Sequence, residues 1–91
     1  MKPNEIQFAH NLQALSAPQC RRIVEALVQD SHSLNELSRL CKLTPASIDK
    51  HLKILIQAGL VKVRTVGGVK QANLQTSKFK PTLDWFYNLS N

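Results

Sequence analysis

Cysteine is scarce in this chain: Cys20 and Cys41 are the two in 91 residues. Two thiols cannot form the multi-bridge framework of a small secreted scaffold, and no Cys-x-x-Cys spacing offers a metal knuckle. His10 and His32 stand at no ligand spacing to them. The three glycines form no phosphate-cradling loop, and neither paired carboxylates nor a nucleophile–base pair appears, so enzymatic chemistry is not expected. No apolar run approaches the roughly 20 residues that span a bilayer. The opening MKPNEIQFAHNLQAL lacks the uninterrupted apolar stretch of a signal peptide. These absences predict a soluble cytoplasmic protein with reduced thiols, no metal and no cofactor.

What remains is one small domain, 43% apolar and 20% charged, with twelve Lys and Arg against six Asp and Glu. A chain this short buries only roughly 60–65% of its unfolded surface, so its core is thin and a second copy would support it. The net charge of +6 favours phosphate-rich or anionic partners. Its distribution is sharper than its total. Residues 1–38 carry three basic and four acidic side chains. Residues 39–70 carry seven basic ones (Arg39, Lys42, Lys50, Lys53, Lys62, Arg64, Lys70) and a single acid, Asp49. The central third therefore holds the charge excess.

Along the chain, a first helix is expected from about Asn4 to Leu15, with Phe8, Leu12 and Leu15 on one stripe. Ser16 can cap a second helix, with Pro18 in its first turn, running to about Gln29 and burying Ile23, Val24, Leu27 and Val28. DSHS reads as a turn in which Ser33 caps a short third helix and Glu36 completes a capping box. Leu34, Leu37 and Leu40 then face the core. Thr44 caps a fourth helix at about 45–58, Pro45 takes its first position, and Gly59 ends it in the left-handed conformation. Ile48, Leu52, Leu55 and Ile56 form its apolar stripe, with Ala46, Lys50, Lys53 and Gln57 opposite and Ser47 and Asp49 at the edges. Two β-rich runs around Gly67–Gly68 predict a hairpin at about 61–74 carrying Lys62, Arg64 and Lys70. A last helix is expected from near Pro81. Leu83, Phe86 and Tyr87 lie on one stripe of it and Trp85 and Leu89 on another, a pattern suited to sharing with a second subunit.

The predicted fold class is mainly α with a β-hairpin, in the order α-α-α-α-β-β-α, a winged helix-turn-helix. In that arrangement Lys42, Lys50, Lys53, Arg64 and Lys70 would grip phosphates, and Thr44, Ala46 and Ser47 would stand where a recognition helix meets base edges. Asp49 would accept a hydrogen bond from cytosine N4, orient Lys50 or Lys53, or simply interact with the helix N-terminus. The stretches LSAPQCRRIVEALV, LNELSRLCKLTPASIDKHLKILIQAGLVKVRTVGG and ANL, about residues 12–74, resemble the ArsR family of transcriptional repressors. HLKILIQAGLV is the most specific part, and its histidine, His51, becomes a candidate phosphate contact. The resemblance implies homodimers built from the first and last helices, here Phe8, Leu12, Leu83, Trp85, Phe86, Tyr87 and Leu89. It also implies repression at a roughly palindromic duplex DNA operator, relieved by an inducer. Ser33 and Asn35 stand where the metal-sensing branch carries cysteines, and no histidine follows His51, so neither familiar metal site carries over. The alternative reading is a winged-helix module that docks another protein through its aromatic C-terminal helix.

Overall fold

The computed structural model describes residues 3–78, with the side chains of residues 3–5 and of Phe8 left aside. Helices α1 (Pro3–Ala14), α2 (Pro18–Leu27), α3 (Leu34–Cys41) and α4 (Pro45–Gln57) are followed by the hairpin strands β2 (Val61–Val66) and β3 (Val69–Leu74). A two-residue strand, β1 (His32–Ser33), precedes α3. The sheet is antiparallel in the order β1-β3-β2. The expected turn at DSHS is thus half strand, because His32 and Ser33 pair with Ala72 and Gln71 across the sheet.

Local chemistry explains most boundaries. The Ser33 hydroxyl accepts the Glu36 N–H at 3.2 Å while the Glu36 carboxylate accepts the Ser33 N–H at 3.0 Å, which satisfies two donors left open at the start of α3. Thr44 caps α4 by accepting the Ser47 N–H, and Pro45 follows it. Gly67 and Gly68 both have positive φ, as a two-residue turn matched to strand twist requires. Ser16 does not cap α2: Ala17 occupies that position without a side-chain bond, and the Ser16 hydroxyl donates back to the Gln13 carbonyl. Residues 76–78 are already helical, ahead of the expected start at Pro81; the remainder of that predicted helix lies outside the described residues.

The core joins Ile23 and Leu27 of α2, Leu37 and Cys41 of α3, Ile48, Leu52 and Leu55 of α4, and Leu60, Val61 and Ala72 of the sheet base. Three apolar residues expected inside are exposed: Val28, Leu40 and Ile56. Val28 follows the last turn of α2. On α3 the buried arc runs through Leu37 and Cys41, four apart, so Leu40 points away. On α4 the buried arc is centred on Ile48, Leu52 and Leu55 and extends toward His51, which places Ile56 outside it. Leu12 is exposed on α1, whose buried positions among the described side chains are Asn11 and Ala14.

Candidate nucleic-acid interface

Three residues, 42–44, join α3 to α4. Lys42 adopts the left-handed conformation (φ 55°), its N–H reaching the carbonyls of Ser38 and Arg39, and the Leu43 N–H bonds to the Ser38 carbonyl at 3.1 Å. This six-to-one closure is the Schellman arrangement usually built on glycine. The Ser38 hydroxyl also donates to the Leu43 carbonyl. A fixed, short turn sets α4 against α3, and the Lys42 side chain is exposed at the corner.

On α4 the exposed residues are Pro45, Ala46, Asp49, Lys50, Lys53, Ile54, Ile56 and Gln57, and Thr44 is exposed just before them. Lys53 Nζ donates to Asp49 Oδ2 at 3.0 Å, one turn apart. Asp49 therefore holds Lys53, one of the roles expected of it, and both side chains remain largely in solvent. The Thr44 hydroxyl accepts the cap bond and keeps its own hydrogen for a further acceptor. Ser47 is half-buried, with its hydroxyl 3.3 Å from His51 Nδ1.

His51 is separated from the exposed cations. It is 9% exposed, and its Nδ1 lies 2.7 Å from the Ser47 carbonyl. A carbonyl only accepts, so the ring proton sits on Nδ1. The imidazole locks the first turns of α4 from the inside, while its backbone carbonyl lies 3.8 Å from the Cys20 thiol.

Strand register sorts the wing. Residues paired across the hairpin share a face, so Lys62–Asn73, Arg64–Gln71 and Val66–Val69 lie on one side and Val61–Leu74, Val63–Ala72 and Thr65–Lys70 on the other. The second side holds buried Val61 and Ala72, so it is the core face. Arg64 and Lys70 are thus on opposite faces near the hairpin tip, both exposed. Lys62 joins Arg64 on the outward face. The alternation of strand side chains contains that grouping, which a list of charges alone does not.

Of the expected dimer residues, Leu12 is exposed on α1. The side chain of Phe8, and Leu83, Trp85, Phe86, Tyr87 and Leu89, lie outside the described residues. The cysteines are free and buried, and burial pushes both thiols up, away from the reactive thiolate; at Cys41 the charges of Arg22 and Glu25 act in opposite directions. Among the described residues no three His, Cys, Asp or Glu converge as a metal site, and no helix is long and apolar enough to cross a membrane.

Residues 15–64, from the end of α1 into the wing, match the helix-turn-helix domain family, and the chain belongs to it. Its fold is the winged helix-turn-helix shared with solved ArsR-type regulators. An ArsR-like transcriptional regulator from Rhodococcus sp. RHA1 superposes with a TM-score of 0.81 at 22% identity, covering 94% of this chain and 81% of that one. The transcriptional repressor BigR from Xylella fastidiosa gives a TM-score of 0.75 at 24% identity, covering 94% and 86%. A homodimeric winged helix-turn-helix DNA-binding domain from Mycobacterium bovis, a possible ArsR-family regulator, gives 0.75 at 16% identity, covering 97% and 87%. No curated protein sequence matches the chain. The fold of this chain is the one these transcriptional regulators share.

Proposed function

We propose that the protein is a homodimeric, sequence-specific DNA-binding repressor that lays α4 in the major groove and rests its β2–β3 wing on the adjacent backbone. The observation that carries this reading is the exposed side of α4. It combines small or polar side chains at its N-terminal end with Lys50 and Lys53 further along, next to a cornering Lys42. A helix of this width fits the major groove, and ammonium groups along it displace counterions from phosphates. The wing adds Lys62 and Arg64 on its outward face and Lys70 on the other.

Dimerisation through the first and last helices accounts for exposed Leu12 and for the aromatic run after residue 79. The whole chain then acts as one domain. Two α4 helices about 34 Å apart would read two half-sites of a roughly palindromic operator. The M. bovis domain is homodimeric and BigR is a repressor, which supports carrying both properties to this chain. Repression follows if the bound dimer occludes a promoter.

The test is fluorescence anisotropy of a random-sequence duplex at low salt with wild-type protein and with the Lys50→Ala/Lys53→Ala double variant, with sedimentation of both. The expected result is a homodimer whose affinity drops at least tenfold in the variant, since two charge-assisted phosphate contacts are lost at roughly 1 kcal/mol or more each. Equal binding by wild type and variant would remove α4 from the interface.

A further inference from the structure

Among the described side chains of α1, Asn11 is the fully buried polar one, at 0% exposure, and it belongs to a hydrogen-bond ring that joins three separate segments. Gln7 Nε2 donates both to Asn11 Oδ1 at 2.8 Å and to the carbonyl of Ala58, the C-cap of α4, at 3.1 Å. Asn11 Nδ2 donates to the Lys78 carbonyl at 2.9 Å. The ring closes through the backbone, where the Gln75 N–H bonds to the Leu60 carbonyl at 2.7 Å. Reversing either amide would set oxygen against oxygen, so the network is consistent in one orientation only. Ala58 is also one of the carbonyls that a helix end leaves without an intrahelical partner. Two of the hydrogen-bond partners are 51 and 67 residues away in sequence, so the ring reports tertiary position and not local helix chemistry alone.

We propose that Gln7 and Asn11 are positioning residues for the DNA-reading helix: their amides fix where the C-terminal end of α4 sits relative to α1 and to the segment at 75–78. The inference rests on the DNA-binding reading of α4 and adds to it the device that sets the helix angle. Among the described side chains of α1, the buried ones are Asn11 and Ala14. Directional bonds therefore specify the alignment, as buried satisfied polar groups do when apolar packing alone leaves more than one arrangement. A base-reading helix needs that alignment more than a phosphate-gripping one, because base-edge bonds tolerate little displacement whereas charge attraction falls off slowly.

The experiment compares wild type with Gln7→Met, which keeps length and helix propensity but removes both donated bonds, and with Asn11→Leu as a second variant. Each binds a random-sequence duplex pool and the duplex that wild type selects from that pool, across a salt series. Amide hydrogen exchange of the free proteins is followed at Gly59, Leu60 and Gln75. The expected result for Gln7→Met is exchange accelerated at those amides relative to α3, an unchanged salt slope, and about tenfold less discrimination, the worth of one lost base-pair contact. A folded Gln7→Met that discriminates like wild type overturns the proposal, as does a loss of binding to both duplexes in equal proportion. Wild-type protein that binds neither duplex at low salt overturns the DNA reading itself, a failure distinct from that of the ring. If Asn11→Leu does not fold, Gln7→Met alone decides.

Discussion

Replacing Asp49 with Asn is expected to strengthen DNA binding, and the size of the gain follows from the geometry. Lys53 Nζ lies 3.0 Å from the Asp49 carboxylate, on the exposed side of α4. A phosphate gripped by Lys53 at about 2.8 Å would lie about 6 Å from that carboxylate. Two like charges at about 6 Å repel by roughly 0.7 kcal/mol in water. The exposed ion pair that must share Lys53 is itself worth about 0.2–1 kcal/mol. Removing the charge while keeping the side chain's shape should therefore tighten binding by about 0.5–1.5 kcal/mol, or about two- to tenfold. Because both groups are solvated, the gain should shrink as salt approaches 0.15 M, where the Debye length is about 8 Å. The assay is anisotropy with the selected duplex at two salt concentrations, with a melting curve to confirm that the fold is kept. Weaker binding by Asp49→Asn, with the loss concentrated at a particular C·G pair, would refute this reasoning. It would show that Asp49 accepts from cytosine N4 instead of restraining Lys53.

Other outcomes follow from the same structure. Lys42→Gly should raise the melting temperature by a few degrees, because glycine relieves a left-handed residue at a cost of up to about 1 kcal/mol, while weakening DNA binding through the lost charge. A variant less stable than wild type would contradict the observed turn. Glu36→Gln tests the capping box by pH. The Ser33 N–H, then the Ser33 hydroxyl and His32, hold the Glu36 carboxyl below its ordinary value. Its stabilisation is thus complete above the usual carboxylate range and fades as pH falls through the depressed folded value. Urea unfolding should show wild type ahead of the variant at pH 7 and the gap closing toward pH 3; a constant gap would be inconsistent with that cause. The buried thiols of Cys20 and Cys41 should react with a disulfide reagent only as fast as the protein opens. Prompt labelling of native protein at neutral pH would contradict their burial.

The parts of the fold written in short-range chemistry were legible without coordinates. Ser33 with Glu36, Thr44 with Pro45, and Gly67–Gly68 each bring their own partners within a few residues, so the third and fourth helices and the wing fell where expected. Features decided by distant partners were not. β1 is two residues long and exists because Gln71 and Ala72 pair with it. Asn11 looks like an ordinary helix-surface residue until Gln7 and Lys78 enclose it. Leu40 and Ile56 satisfy an apolar period, yet burial depends on which arc of the helix meets a neighbour, and Cys41 and His51 occupy those arcs. For the candidate interface, the sequence located the cations of α4. It did not separate His51 from them, nor Arg64 from Lys70, because helix phase and strand register assign those faces.

The most direct test of DNA binding through this basic surface is the salt dependence of wild-type affinity for the selected duplex. If Lys42, Lys50, Lys53, Arg64 and Lys70 of each chain contact phosphates, log K against log salt should fall with a slope of about −4.5 per chain, near −9 for a dimer. A slope near zero, or no detectable binding at low salt, would contradict the account.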